Sequence, residues 1–352
     1  MFQDLLTVVI VALVASAIAC RMIIWFGPID HPNIPRKQHG QATRTSGGLG
    51  IGVGYAAAML LLLNYSSVWR YEVNPHGERL LWMSAAFSYP LLMIGFVDDA
   101  LDLPASLKFA LYSLIAIAAS LVIGPISVFP LGGDVVLVVS YLAAVFGTAL
   151  WIFTLINCVN FMDGANGLAM GCVGFGLVAL AFISLAGGAP SGAAISLCGA
   201  GATLGFLIWN FPRGRLFAGD SGALFGGALA AFASLIVIIR TGASPFVPVI
   251  AFFPILADAL ITLVWRVWRR RSLFKGHVEH HYQIAIRGGL SREAVAVAYW
   301  LATIACGVLA FAVAREPDFA AEWIALIGLV VLAVILSAFT HNWARERGLI
   351  DP

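Results

Sequence analysis

Between Asn157 and Ala169 the chain reads Asn-Cys-Val-Asn-Phe-Met-Asp-Gly-Ala-Asn-Gly-Leu-Ala, placing three asparagines and an aspartate at the mouth of an apolar run. Asn157, Asn160 and Asp163 fall three apart, so a helix end would carry them on one face. Gly164 and Gly167 flank Asn166 and allow a tight turn close to a ligand. Two more acidic stretches, Asp98-Asp99-Ala-Leu-Asp102 and Gly-Asp220-Ser-Gly, join a histidine group, His277, His280 and His281. Arg36, Lys37, Arg44 and the basic stretch 266–292 supply cations. Adjacent carboxylates repel unless a cation or a base role compensates them. A hard cation such as Mg²⁺ takes one or two carboxylates together with phosphate oxygens and water, and arginine and lysine complement phosphate. The combination suits phosphoryl transfer, where positioning and charge neutralisation dominate. Zinc fits poorly, because no cysteine or fixed fourth ligand lies near His277 and His281.

Each group also has a purely structural reading. The asparagines can cap helices in a polar turn, and Asp98-Asp99 can be a solvated helix end. Asp220 can be the N-cap of the segment that follows it. Asp258, inside an apolar run, reads as an intramembrane carboxylate satisfied by partners. The histidines can be a titrating loop. Only their joint placement decides between the readings.

That placement depends on apolar segments. Of 352 residues, 61% are hydrophobic and 11% charged, against about a quarter charged in a soluble domain. Apolar runs of spanning length recur throughout, predicting an all-α polytopic membrane protein with about eleven spans and one integral membrane domain over 1–352. They run near 5–26, 49–63, 80–97, 107–123, 135–156, 168–185, 193–209, up to 239, 246–265, 294–314 and 323–339. The first lacks a basic start and stays apolar past any cleavage site, so it reads as an anchor. A net charge of +2 and no basic tail argue against nucleic acid as a partner. The five cysteines form no Cys-x-x-Cys pair and read as small packing residues. With the Asp30–Arg44 loop inside, alternation leaves only Arg70, Arg79, Arg240 and Arg315 of the 20 basic residues outside. The same alternation brings every polar cluster to the inner face, a one-sided active site.

Asn157-x-x-Asn160-x-x-Asp163-Gly-x-Asn166-Gly-Leu-Ala, Asp98-Asp99 and Phe-Ala-Gly-Asp220-Ser-Gly, taken together, resemble the polyprenyl-phosphate N-acetylhexosamine-1-phosphate transferases. The resemblance covers nearly the whole chain. It implies transfer of an N-acetylhexosamine 1-phosphate from a UDP-sugar to undecaprenyl phosphate, releasing UMP, with Mg²⁺ (or Mn²⁺), at the cytoplasmic face of a bacterial inner membrane. It implies a start to cell-envelope polysaccharide, with O-antigen the expected product, and is compatible with a homodimer. By position it puts Asp98 and Asp99 at the lipid phosphate and metal region, and Asp220 with Asp163 on the metal. Asn157, Asn160, Asp163 and Asn166 fall around the nucleotide, and the histidines at sugar and pyrophosphate. Arg36 and Lys37 are the phosphate-binding cations of the first loop.

Two departures stand out. The histidines run His277-x-x-His280-His281-Tyr-Gln rather than His-x-His-His, closer to the O-antigen branch than to the enterobacterial-common-antigen branch. Arg44-Thr45-Ser46 replaces a proline common before the Gly47-Gly48 pair. Asn166 stands where the muramoyl-pentapeptide branch carries aspartate, against that peptidoglycan substrate. A secondary transporter would favour mid-bilayer charges and repeated halves, of which only Asp258 is present. An intramembrane aspartyl protease needs glycine in place of Phe217 or Ala218.

Overall fold

The computed structural model describes residues 2–26, 29–30, 43–65, 75–132, 135–272, 278–316 and 320–350. Arg36, Lys37 and His277 lie outside the described residues. The rest is overwhelmingly helical: α1 (Phe2–Phe26), α2 (Gly47–Tyr65), α3 (Pro75–Leu101), α4 (Ala105–Ile123), α5 (Tyr141–Met162), α6 (Leu168–Ala186), α7 (Pro190–Asn210), α8 (Gly219–Thr241), α9 (Phe246–Ala251), α10 (Phe253–Trp268), α11 (His281–Arg287), α12 (Arg292–Ala314) and α13 (Ala320–Glu346). Ten of these are long and apolar enough to cross a bilayer. At 1.5 Å per residue the 23 residues of α8 reach about 35 Å, more than the roughly 30 Å hydrocarbon core.

The expected span over 246–265 is not one helix. It breaks at Phe252 into the short α9 and the 16-residue α10, with Pro254 in the first turn of the second piece. Proline has no N–H to give and its ring crowds the preceding turn, which ends the first piece there. The expected span from Val135 also starts later. Val135–Val138 is a strand, paired antiparallel with Val128–Gly132, and α5 begins only at Tyr141, capped by the Ser140 hydroxyl.

α8 is the centre of the bundle, with residues 221–237 buried throughout. It packs on α3, α5, α6, α2 and α7. The outer helices show apolar faces instead: Ile324, Ile327, Leu332 and Phe339 on α13 are more than half exposed. In lipid those faces need no cover, and close packing of small residues replaces the hydrophobic drive between helices. All five cysteines are free and buried among these helices, as packing residues should be.

What positions the site is the start of α8. Gly47 and Gly48 N–H groups donate to the carbonyls of Phe217 and Ala218, and Phe217 N–H donates to the Arg44 carbonyl. Arg44 and Leu216 also form a parallel bridge. Gly48 of α2 and Gly95 of α3 both meet α8 backbone to backbone; a Cβ on Gly95 would stand 2.5 Å from the carbonyl of Asp220. No side chain fits there.

Candidate active site

The C-terminal turn of α3 carries Asp98 and Asp99, and the two carboxylates diverge. Asp98 is buried. Its Oδ1 accepts from Leu103 N–H (2.8 Å) and its Oδ2 from Lys108 Nζ (2.7 Å). Lys108, in the first turns of α4, also reaches Asp220 Oδ2 at 3.9 Å. One lysine therefore holds two carboxylates from helices distant in sequence, which relieves their repulsion.

Asp99 turns to the start of α8. Its Oδ1 accepts from Asp220 N–H (2.8 Å) and its Oδ2 from Ser221 N–H (3.2 Å). The N-cap position of α8 is Ala218, with no side-chain cap of its own. The cap comes instead from α3, satisfying first-turn N–H groups that the helix cannot. Asp220 is thus not the N-cap of α8; it sits inside the first turn, with its carboxylate partly exposed. Gly219 makes room: its φ is +69°, and a Cβ there would lie 2.4 Å from Asp99 Oδ2. Asp102 is the left-handed residue ending α3 (φ +49°), and it is exposed.

Asp99→Asn should weaken the α8 start. An amide NH₂ would face one of two backbone N–H groups, leaving a donor unpaired at about 1–3 kcal/mol. The expected result is a chain that still inserts, with a lowered unfolding temperature in detergent. An unchanged unfolding temperature would contradict the cap.

The Asn-rich stretch closes α5. Asn157 and Asn160 lie in its last two turns, half-buried, and Asp163 follows as its C-cap. Asn157 Nδ2 donates to Phe153 O (2.7 Å) within its own helix. Asp163 is partly open at its surface yet surrounded by protein. Desolvation pushes its carboxyl well above the usual carboxylate range, and the charge of Asp99 adds to the rise.

Asn166 turns away from this group, toward the 211–218 loop, where its Nδ2 donates to Pro212 O (3.1 Å). Asn210, not singled out by sequence, ties the same loop: Oδ1 accepts from Gly167 N–H (2.5 Å) and Nδ2 donates to Leu216 O (2.8 Å). Trp300 Nε1 donates to Gly167 O (2.9 Å).

His280 and His281 enter from the 278–281 segment. Tyr282 Oη donates to Phe161 O (3.2 Å) and lies against Gly164, bringing α11 onto the end of α5. His280 stacks near Phe161, ring centroids 6.0 Å apart. Glu279 is clamped between Arg266 and Arg271, so part of the basic stretch serves the loop's own shape.

The structure thus gathers Asp98, Asp99, Asp220, Asn157, Asn160, Asp163, His280 and His281 at one end of the bundle. Sequence reasoning missed Lys108, which it counted only as a positive charge. The signal was a lone lysine opening an apolar helix ten residues after Asp98.

The fold and site define a polytopic helical membrane protein with an acid-rich polar cluster at one end, and comparison with known proteins gives its class. The family described as Glycosyl transferase family 4 matches residues 81–238, which contain both ends of the Asp98–Lys108–Asp220 contact. A decaprenyl-phosphate N-acetylglucosaminephosphotransferase of Mycolicibacterium smegmatis is 30% identical over 86% of this chain and 80% of its own length. A probable undecaprenyl-phosphate N-acetylglucosaminyl 1-phosphate transferase of Bacillus subtilis is 27% identical over 99% of this chain and 91% of its own. A phospho-N-acetylmuramoyl-pentapeptide-transferase of Desulforudis audaxviator is 27% identical over 85% and 97%. The chain belongs to the polyprenyl-phosphate N-acetylhexosamine-1-phosphate transferase family.

Proposed function

We propose that the chain transfers an N-acetylhexosamine 1-phosphate from a UDP-sugar to undecaprenyl phosphate, releasing UMP. The observation that carries this reading is the meeting of Asp98, Lys108 and Asp220 beside the Asn157–Asp163 stretch. N-acetylglucosamine is the favoured sugar, since two of the relatives are named for it. The product would open a cell-envelope polysaccharide, O-antigen among the candidates. The basic bias supports a cytoplasmic orientation for this end of the bundle, in a bacterial plasma membrane.

An oxygen of the lipid phosphate would attack the β-phosphorus of the UDP-sugar. A new P–O bond forms, the bond to the bridging oxygen breaks, and its electron pair leaves with UMP. The second pKa of a phosphomonoester is near 6, so the nucleophile is already largely dianionic and needs no obligatory base. Lys108 supplies a fixed positive charge where phosphates converge, and Asp99 holds the turn that carries Asp220. The tail of the acceptor stays in the bilayer while its phosphate meets this end.

Among the described residues, no three histidine, cysteine or acidic side chains are grouped to hold a metal by themselves. That fits Mg²⁺, which relies on one or two carboxylates with substrate phosphates and water. Asp220 and Asp163 are the residues that would hold it, and Asp163 carries the raised carboxyl that a cation would relieve. When bound, the ion would neutralise the diphosphate and the departing UMP. UMP release from UDP-N-acetylglucosamine by the purified chain should require both polyprenyl phosphate and a divalent metal. EDTA should abolish it, and Mg²⁺ or Mn²⁺ should restore it. Release that ignores polyprenyl phosphate, or that persists in EDTA, would overturn the proposal; a panel of UDP-sugars then sets the donor.

A further inference from the structure

Asp258 is 4% exposed inside α10, and donors from three segments, α10 itself, the start of α11 and α12, converge on its two oxygens. Oδ1 accepts from His281 N–H (2.9 Å), Oδ2 from Tyr282 N–H (3.1 Å) and from Tyr299 Oη of α12 (2.5 Å). Thr262 Oγ1, one turn along α10, donates to Oδ1 at 3.3 Å. The ring Nδ1 atoms of His280 and His281 also face Oδ1, at 3.3 and 3.1 Å.

A carboxylate can only accept in such contacts. Both imidazoles must therefore carry a proton on Nδ1, and in the neutral ring Nε2 becomes the accepting nitrogen. His281 Nε2 meets Ser337 Oγ of α13 at 2.8 Å, so that ring is held at both nitrogens between α10 and α13. His341 lies edge-on to it and hydrogen-bonds Ser337 O through Nδ1 (2.9 Å). The His280 ring is fixed differently, stacked near Phe161 on one side and Tyr282 on the other. Phe161 lies between Asn160 and Asp163, so His280 borders the candidate nucleotide stretch.

The arrangement repeats that of Asp99. In both cases a carboxylate on one helix takes two consecutive N–H groups at the start of another, and the residues so placed include a candidate ligand of the substrate. From this geometry we infer that Asp258 is a positioning residue for the donor sugar: it fixes the Nδ1–H form of His280 and His281 and seats His280 against Phe161, beside the Asn157–Asp163 stretch. The inference rests on the proposed transferase reading, and two separate readouts test it.

The first needs no change at Asp258 and no activity. In ¹⁵N-histidine spectra of the reconstituted full chain, with the two rings assigned by His280→Gln and His281→Gln, both should show a protonated Nδ1 near pH 8. Either ring protonated on Nε2 alone would overturn the inference. The second is kinetic. Asp258→Asn should raise KM for the UDP-sugar on the order of 10- to 100-fold, by analogy with the loss when a metal-bound histidine loses its second-nitrogen partner. KM for polyprenyl phosphate should stay near wild type, because the Asp98–Lys108–Asp220 contact does not involve Asp258. An unchanged donor KM, or equal rises in both, would overturn it. A wild-type chain inactive on every UDP-sugar would defeat the transferase reading and leave the spectra to judge Asp258.

Discussion

Asp220→Asn should lower transfer by about 10³-fold or more while the protein still inserts and folds. The carboxylate is partly exposed, with Lys108 Nζ at 3.9 Å and the Asp98 carboxyl beside it. Its removal therefore costs little structure; the Asp99 cap goes to the backbone of residues 220 and 221, not to this side chain. On the proposed metal role, what is lost is charge directed at a diphosphate and its cation, at about 4 kcal/mol for that factor of 10³. The amide keeps the size and loses the charge. Raising Mg²⁺ should recover little of the rate, since the ligand itself is changed. Turnover of Asp220→Asn at the wild-type rate in saturating Mg²⁺, measured as UMP release, would refute the metal role.

A second large effect is expected where no functional group is touched. Gly95→Ala should severely destabilise the chain and abolish activity, although alanine is the better helix former by about 1 kcal/mol. The added Cβ would lie 2.5 Å from the carbonyl carbon and oxygen of Asp220 and from Ser221 N. These are backbone atoms of the most buried helix and cannot turn aside. Relief requires α3 and α8 to part, at about 1–3 kcal/mol for overpacking. Separation also breaks both hydrogen bonds from the start of α8 to Asp99, each unpaired N–H adding about 1–3 kcal/mol. Gly147→Ala is the matched control. It lies in α5 with nothing within 4 Å of the added carbon, and should be neutral or slightly stabilising. Unfolding temperatures in detergent compare the two. A Gly95→Ala chain as stable and active as Gly147→Ala would disprove the close contact of α3 with α8.

Much of this protein was legible in its sequence because the bilayer imposes a simple rule. A chain segment crossing hydrocarbon must be apolar and about 20 residues long, so the ten long helices stand out by composition. Polar residues cannot be scattered along such segments without cost, and the asparagines, aspartates and histidines appear in bunches at their ends. The Asn157, Asn160, Asp163 spacing was readable for the same reason: a helix repeats every 3.6 residues wherever it is placed.

Three-dimensional pairing was not legible. Asp99 and Asp220 are adjacent as letters to nothing that explains them, and the bond between them joins residues 121 apart. Lys108 looked like an interfacial charge until two carboxylates met it. Asp258 read as an intramembrane carboxylate satisfied by partners, but only the structure shows which ones: it is a point where α10, α11 and α12 are tied together. The break at Phe252 had a signal in Pro248 and Pro254, but overall hydropathy runs straight across it. Local composition and periodicity, which act through solvent and backbone geometry, determined the spans and the polar ends. Which carboxylate meets metal, lysine, histidine or a helix start was decided only by packing, because a hydrogen bond depends on the place of both partners and each sequence window contains one.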